Sequence, residues 1–242
     1  MKTVIMVPTY NERENIEQLI KLIHKSAPDA QVLVVDDSSP DKTFELIQKL
    51  KKKDKKLHLL LRNMSIKGRG WAGRDGFVKA LEMGADVIVE MDGDLSHQPK
   101  YIPSLIKPIF AGRADVVLGS RYMAGGKDID RPFYRQITSN FAKNYLKVVL
   151  GLKAEDPTSG FRAYSRDALA KIKVETLTAR DPFTVSEILY RCYRAKLKIE
   201  ETPIVFIDRT RGESKLQIST LIKYLARALA LRLGPDPLFS AK

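Results

Sequence analysis

Two aspartates separated by one glycine, Asp92 and Asp94, follow an apolar run in the stretch VIVEMDGDLSHQP at residues 87–99. Carboxylates at the end of a buried strand can share a hard divalent cation with a substrate, because Mg²⁺ favours one or two carboxylates together with phosphate oxygens. The intervening Gly93 lets the backbone bend closely around a ligand. Aspartates are also common in ordinary turns, so the pair alone leaves both interpretations open.

Short β-branched runs alternate with segments of helical periodicity in the first half of the chain. The runs are continuously apolar, which indicates strands covered on both faces and hence a mainly parallel sheet between helices. The predicted strands are 3–7, 31–35, 57–61, 86–91 and 115–120, and the predicted helices are 11–26, 41–52, 73–83 and 99–110.

Polar motifs follow four of these predicted strands. In doubly wound sheets, ligands bind beyond the carboxyl ends of the strands, so we expect the four motifs to lie on one rim. They are PTYNE at 8–12, DDSS at 36–39, DGD at 92–94 and GSRY at 119–122.

A basic, glycine-containing segment, residues 63–76, precedes the acid pair. Its glycines would permit close approach to a phosphate, and its basic side chains would supply charge. These residues are Gly68, Gly70, Gly73, Lys67, Arg69 and Arg74. The segment lacks the GxxxxGK[ST] pattern, which argues against a P-loop nucleotide hydrolase.

The second half of the chain is predicted to begin with a charged, glycine-rich loop after Tyr122. A helix at 133–152, a turn and helix within 156–169, a helix at 184–195 and a strand or hairpin at 197–209 follow. An amphipathic helix at 216–233 then precedes the helix-breaking GPDP.

Composition restricts the class of protein. With 242 residues, of which 44% are hydrophobic, the chain can form one large domain, and its net charge of +13 indicates an anionic partner. A single cysteine excludes an internal disulfide framework, and three scattered histidines without CxxC exclude the usual zinc sites. The chain lacks a signal-peptide pattern and an apolar run of about 18 residues, so we expect a cytosolic protein.

Six motifs, in their order and spacing, resemble the dolichol-phosphate mannosyltransferase group of family 2 glycosyltransferases. They are PTYNERENI, VVDDSSPDKT, MDGDLSHQP, LGSRY, SGFR and DRTRGESKL, and the resemblance extends to about Leu233. It implies a GT-A fold, which is a Rossmann-like α/β fold, in a single catalytic domain at 1–233. Within it, 1–122 would bind the nucleotide sugar, 123–215 the acceptor, and 216–233 would be a C-terminal amphipathic helix before a tail at 234–242.

The same resemblance implies an inverting, metal-dependent transfer of mannose from GDP-mannose to dolichyl or another polyprenyl phosphate. The products would be the polyprenyl phosphate mannose and GDP, and the enzyme would lie at the cytoplasmic face of a membrane. A polyprenyl-phosphate glucosyltransferase that uses UDP-glucose, or an enzyme for another nucleotide sugar, stays open as the alternative.

Site residues follow from the resemblance, motif by motif. Those implied to bind the nucleotide sugar are Pro8, Tyr10, Glu12, Asp36, Asp37, Asp92, Gly93, Asp94, Arg121, Arg209 and Lys215. Asp92 and Asp94 would hold Mg²⁺ or Mn²⁺. Those implied to be catalytic are Asp94, Arg121, Arg209 and Lys215, and those implied to receive the acceptor phosphate are Arg135 and Ser139. Ser96 stands where some relatives offer the metal a glutamine.

The chemistry agrees with this assignment, because a phosphate monoester is already an anionic nucleophile. The reaction therefore needs in-line placement and a stabilised leaving group more than a strong base. Asp181 and Glu187 are candidate bases, but we expect both to lie on a helix surface.

An isoprenoid acceptor stays in the membrane. The helices at 133–152 and 216–233 carry apolar faces beside basic residues, as interfacial helices do, although core packing explains the same pattern. A separate membrane subunit is another possible anchor.

Two other protein classes compete with an enzyme. A nucleic-acid-binding module is disfavoured because the basic residues are dispersed and only 8% of residues are aromatic. A nucleotide-sugar sensor or inactive paralogue is disfavoured by the retained acids and basic motif residues.

Overall fold

The computed structural model describes residues 1–63, 68–129, 133–207, 218–235 and 238. The strands are β1 (Thr3–Thr9), β2 (Gln31–Asp36), β3 (Leu57–Leu61), β4 (Val87–Glu90), β5 (Val116–Ser120), β6 (Lys127–Ile129), β7 (Arg162–Ser165), β8 (Ile199–Pro203) and β9 (Val205–Ile207). The helices are α1 (Ile16–Ser26), α2 (Thr43–Lys51), α3 (Arg69–Glu82), α4 (Ile102–Phe110), α5 (Phe133–Leu150), α6 (Arg166–Lys171), α7 (Thr184–Arg194) and α8 (Ile218–Leu233). Single 3₁₀ turns occupy Pro99–Tyr101 and Val174–Thr176.

Seven strands form the central sheet in the order β3-β2-β1-β4-β7-β5-β8. Neighbouring strands are parallel except around β7, which runs antiparallel to β4 and β5. Strands β6 and β9 form a separate parallel pair. The prediction of a mainly parallel sheet is confirmed. Strand order reverses at β1, with β2 on one side and β4 on the other, which is where such sheets open a crevice for ligands.

Both faces of the sheet are covered, and strand β1 illustrates why its sequence is continuously apolar. All seven of its residues are buried. Val4 and Met6 pack into the core cluster that includes Phe77 of α3, whereas Ile5 and Val7 pack into the cluster that includes Leu19 of α1. Because successive strand residues point to opposite faces, each face needs its own apolar set.

Several elements differ from the sequence-based predictions. Strand β6 lies in the stretch predicted to be a loop, and α1 begins at Ile16, five residues after its predicted start at residue 11. Strand β7 lies inside the stretch 156–169, which we expected to be a turn and a helix, and α6 follows it directly. The stretch 197–209 divides between two sheets instead of forming a hairpin, since β8 pairs with β5 and β9 pairs with β6. Helix α3 begins at Arg69, four residues before its predicted start at Gly73, so its first turn lies in the basic glycine segment.

Helices α5 and α8 pack against each other, and the Tyr145 hydroxyl of α5 donates a hydrogen bond to the Leu225 carbonyl of α8 (3.2 Å). In the described part of the chain, every helix is either too short or too polar to cross a lipid bilayer.

Candidate active site

A cavity of about 640 Å³ opens at the carboxyl ends of β1, β2 and β4. Three of the four predicted rim motifs contribute to its wall: PTYNE, DDSS and DGD. The starts of α3 and α7 and the loop before β7 complete it. The lining residues are Pro8, Thr9, Tyr10, Glu12, Asp37, Gly68, Arg69, Ala72, Asp92, Gly93, Asp94, Thr158, Gly160, Pro182 and Val185.

Asp94 is held by the residue two positions later. The backbone N–H and the hydroxyl of Ser96 both donate to Asp94 Oδ1, at 3.1 Å and 2.5 Å. Between them, Leu95 adopts a left-handed conformation (φ 64°), which a branched side chain rarely adopts and which closes this turn. Ser96 is buried, so its hydroxyl orients the Asp94 carboxylate from the interior side of the turn.

Asp92 lies among charged and aromatic neighbours. Its Oδ1 accepts a hydrogen bond from Arg69 Nη2 (3.2 Å), and its backbone N–H donates to His97 Nδ1 (3.0 Å). Burial lowers the pKa of His97, against the opposing effect of Asp92 and Asp94. Because Nδ1 accepts a hydrogen bond, the proton of the neutral imidazole lies on Nε2. His97 therefore supports the turn as a neutral ring stacked on Phe161.

The two adjacent aspartates at the end of β2 have different surroundings. Asp36 is fully buried and accepts hydrogen bonds from the Thr9 hydroxyl (2.8 Å), the Ser39 hydroxyl (2.7 Å) and the Ser39 backbone N–H (2.8 Å). Asp36 lies outside the cavity wall, whereas Asp37 lines it. Asp37 forms an ion pair with the buried Arg62 and accepts a hydrogen bond from the Gly68 N–H (3.0 Å).

Arg121, which follows β5, does not line the cavity. Its Nε and Nη2 donate to the two carboxylate oxygens of Asp156, at 2.7 Å and 2.9 Å, and Nη2 also donates to the Thr158 hydroxyl (2.8 Å). Burial disfavours both charges, yet Asp156 raises the pKa of Arg121, and Arg121 lowers the pKa of Asp156. Arg121 thus reaches the cavity through Thr158, and no sequence pattern pointed to Asp156.

The prediction that Glu187 lies on a helix surface is wrong. Glu187 is buried in α7, accepts hydrogen bonds from the Ala179 N–H (2.9 Å) and the Thr178 N–H (3.2 Å), and forms an ion pair with Arg191 (2.7 Å). These contacts hold the loop before α7, in which Pro182 lines the cavity. Asp181 lies in the loop before α7 and not on a helix; its side chain is partly exposed and forms an ion pair with Arg227 of α8.

Two glycines of the basic segment, Gly68 and Gly70, approach protein backbone in this structure. A Cβ atom on Gly68 would lie 2.3 Å from the Arg180 carbonyl oxygen, and one on Gly70 would lie 2.2 Å from the Ala179 carbonyl oxygen. The loop before α7 therefore packs directly on the start of α3. Arg74 pairs with Asp75 (2.9 Å), so its charge is compensated locally.

Besides Asp36 and Arg121, four more predicted site residues either lack a described side chain or lie away from this cavity wall. Arg209 and Lys215, like Lys67 of the basic segment, lie outside the described residues. Arg135 belongs to α5, but its side chain is outside the described part, and Ser139 is half-buried on the same helix. Their roles stay predictions.

Replacing Gly93 with alanine is expected to change the free energy of unfolding by less than about 1 kcal/mol, because the new Cβ meets only movable side-chain atoms. Those atoms are Glu12 Cγ and Thr9 Cγ2, both at 3.2 Å. In Gly76→Ala, by contrast, the Cβ would lie 2.8 Å from Met6 Sδ and 2.9 Å from Val35 Cγ2 within the core. Urea unfolding should show a loss of about 2 kcal/mol there; equal losses in both variants would contradict this.

Comparisons with known proteins agree with the resemblance found in the sequence motifs. The model of the family "Glycosyl transferase family 2" matches residues 4–173. The chain is 37% identical over 216 residues to the undecaprenyl-phosphate mannosyltransferase of Micrococcus luteus, covering 89% of this chain and 88% of the relative. It is 36% identical over 220 residues to the polyprenol monophosphomannose synthase of Mycolicibacterium smegmatis, covering 91% and 83%. The dolichol-phosphate mannosyltransferase of Pyrococcus furiosus is 37% identical over 229 residues, which are 93% of this chain and 62% of the relative.

Among solved structures, glucosyl-3-phosphoglycerate synthase from Mycobacterium tuberculosis, in complex with Mn²⁺, UDP and phosphoglyceric acid, superposes with a TM-score of 0.70. It is 19% identical and covers 97% of this chain and 80% of its own, a likeness that concerns the fold alone. The predicted fold class is confirmed. With a family model that matches more than half of its length and relatives of this similarity, the chain belongs to glycosyl transferase family 2.

Proposed function

We propose that this protein transfers mannose from GDP-mannose to a polyprenyl phosphate, with inversion at the sugar carbon and with the aid of a divalent cation. The observation that carries the proposal is the convergence of Asp37, Asp92 and Asp94 on one cavity of about 640 Å³. That volume is in the range of cavities that hold nucleotide-sized ligands. The names of the three relatives, all of which are mannosyltransferases or mannose synthases acting on polyprenyl-type phosphates, support the choice of sugar and acceptor.

Two ends of the cavity would bind different parts of the donor. Asp37, oriented by Arg62 and joined by Pro8, Tyr10 and Glu12, would bind the guanine and ribose. Asp92 and Asp94 would face the diphosphate.

The acid pair fits a divalent cation. Two carboxylates from one short turn are the hard oxygen donors that Mg²⁺ or Mn²⁺ takes together with substrate phosphates, and both line the cavity. The structural neighbour solved with Mn²⁺ agrees with a divalent ion. When bound, the cation would stabilise the negative charge of the leaving diphosphate. Ser96 would keep Asp94 oriented for this role.

The acceptor phosphate would attack the sugar carbon directly. One of its oxygens would form the new bond as the bond to the diphosphate breaks, and GDP would leave with that electron pair. His97 is neutral and its Nδ1 is occupied, so it supports the acid turn and removes no proton. Arg209 and Lys215 would contact the diphosphate, and Arg135 and Ser139 the acceptor phosphate. Arg121 would act through its bond to Thr158.

A transfer assay tests the proposal. Purified protein is incubated with a polyprenyl phosphate and either radiolabelled GDP-mannose or UDP-glucose, and the label extracted with the lipid is measured. We expect transfer from GDP-mannose. Transfer from UDP-glucose alone would favour the glucosyltransferase alternative. A matched polyprenol without its phosphate is the control, since it lacks the nucleophile and should receive no sugar.

We also propose that the protein lies at the cytoplasmic face of a membrane. Exposed apolar residues on α5 and α8 support contact with a membrane. Ile137, Phe141 and Val148 are exposed on α5, on the side opposite its buried Ala142 and Leu146. Helix α8 likewise exposes Ile222, Leu229 and Leu233. Core packing does not account for these exposed residues. A separate membrane subunit would be an alternative occupant of the same surface.

Replacing Phe141 with serine is expected to reduce binding to liposomes about tenfold or more, because a buried phenyl ring contributes about 1.5–3 kcal/mol. Co-sedimentation with vesicles that contain acidic lipids measures this. Phe110→Ser is the matched control, since Phe110 is also exposed (43%, against 54% for Phe141) but lies at the end of α4. Equal binding by the two variants would argue against an interfacial α5.

A further inference from the structure

Arg69, the first residue of α3, bridges two carboxylates at the wall of the cavity. Its Nη1 donates to Glu90 Oε1 (2.8 Å) and its Nη2 donates to Asp92 Oδ1 (3.2 Å). Glu90 is the last residue of β4 and has no solvent-exposed surface. Its second oxygen, Oε2, is buried without a hydrogen-bond partner in the described part of the chain. One guanidinium is therefore shared between a buried acid and an acid that lines the cavity.

Arg69 is a permanent cation, because a guanidinium is not deprotonated in proteins. Glu90 cannot leave the interior, because β4 is the central strand next to β1. Asp92, on the other hand, is partly exposed and reachable from the cavity. Of these three residues, Asp92 is thus the carboxylate that can change partners.

We propose that Arg69 competes with the divalent cation for Asp92, and that Glu90 sets the strength of this competition by neutralising Arg69. The inference rests on the proposed function, in which Asp92 is a metal ligand. It follows that the protein binds the metal alone weakly, since a cation already occupies one side of Asp92. The negative diphosphate of the donor would offset this positive charge, so that metal and nucleotide bind better together than separately.

Two variants should shift metal affinity in opposite directions. Glu90→Gln keeps the shape of the buried group but leaves Arg69 without its neutralising partner, so Arg69 should hold Asp92 more strongly and Mn²⁺ should bind more weakly. The double variant Arg69→Met with Glu90→Gln removes both charges together, so Mn²⁺ should bind more tightly. We expect a change of about tenfold in each direction, since a charge within about 4–6 Å alters the proton affinity of a carboxylate by at least that factor.

The measurement is the electron paramagnetic resonance signal of free Mn²⁺ during titration of the protein with Mn²⁺ alone, without nucleotide. A purely structural role for the Arg69–Glu90 pair predicts that both variants weaken binding, because both lose the pair. Shifts of the same sign, or a double variant that binds no more tightly than the wild type, would overturn the inference. Lys79→Met is the matched control, since it removes a charge of the same helix that pairs with Glu82 away from the cavity wall, and it should leave Mn²⁺ affinity unchanged.

A third variant keeps the test independent of any folding defect in the double variant. Arg69→Lys preserves a cation beside Glu90, but its single nitrogen cannot bridge both carboxylates, so we expect tighter Mn²⁺ binding of about threefold. Binding equal to the wild type in this variant would count against the competition. Asp94→Asn separates the two proposals: if it binds Mn²⁺ like the wild type, the metal role of the acid pair fails, whatever the Arg69 variants show.

Discussion

Replacing Asp94 with asparagine is expected to lower the rate of sugar transfer by about three orders of magnitude, as losing one stabiliser of transition-state charge does in other enzymes. Asparagine is nearly isosteric with aspartate, and its carbonyl oxygen can still accept the two hydrogen bonds that Ser96 now donates to Asp94 Oδ1. The turn should therefore persist while one negative charge is lost. The rate with GDP-mannose and a polyprenyl phosphate at saturating metal measures the effect, and circular dichroism and the melting temperature check the fold.

Ser96→Ala is the control for this experiment. It removes the hydroxyl bond to Asp94 but keeps both carboxylates, so the rate should fall by about tenfold or less, which corresponds to one ordinary hydrogen bond. If Asp94→Asn retained the activity of the wild type, neither a metal nor the leaving diphosphate would depend on this side chain. If Ser96→Ala lowered the transfer rate as much as Asp94→Asn, the orientation of the Asp94 carboxylate would matter more than its charge.

The rim motifs were predictable because they obey a local rule. Continuous apolar runs such as 3–7 and 31–35 identify buried parallel strands, and the carboxyl ends of such strands meet at one edge of the sheet. Residues just beyond the ends of such runs, such as Asp37 and Asp92, therefore meet in the cavity. The same rule says nothing about which of two adjacent aspartates turns outward. Asp36 turns inward because Thr9 and Ser39 supply its hydrogen bonds.

The supporting contacts were not predictable because they join residues that are far apart in the sequence. Arg121 and Asp156 are separated by 35 positions, and Arg69 and Glu90 by 21. No periodicity encodes such pairs. Strand β7 was missed for a related reason: its four residues are too few to show a pattern, and it is a strand because β4 and β5 both pair with it.

Asp156 illustrates how much such a hidden contact contributes. Its carboxylate has no exposed surface and accepts hydrogen bonds from the Arg121 side chain, the Arg121 backbone N–H (3.1 Å) and the Thr158 hydroxyl (2.9 Å). The Asp156 N–H in turn donates to Glu201 Oε1 of β8 (3.0 Å). Replacing Asp156 with asparagine would leave Arg121 as a buried cation without its counter-charge.

Asp156→Asn is therefore expected to lower the free energy of unfolding by about 3 kcal/mol, the cost of breaking a buried ion pair by removing one partner. Urea unfolding at pH 7 measures this loss. Asp181→Asn is the matched control, since Asp181 pairs with Arg227 in an exposed position, where such a pair contributes less than about 1 kcal/mol. Equal losses in the two variants would show that Arg121 finds another partner when Asp156 is neutral.

The pH dependence of this loss has a definite sign. Arg121 lowers the pKa of Asp156 in the folded protein, so the contribution of Asp156 is complete above the pKa of an unfolded aspartate, about 3.9. It is lost as the pH falls below that value through the lowered pKa of the folded state. The difference in unfolding free energy between the wild type and Asp156→Asn should thus stay constant from pH 7 to about 5 and shrink below about 4.

Thr158 connects this stability to activity, because it accepts a hydrogen bond from Arg121 and lines the cavity. Transfer rates measured well below the melting temperature of Asp156→Asn separate the two effects. A loss of rate there, in protein that is fully folded, means that Asp156 positions Arg121 and Thr158 for the donor. An unchanged rate would confine Asp156 to holding β5, β8 and the loop before β7 together.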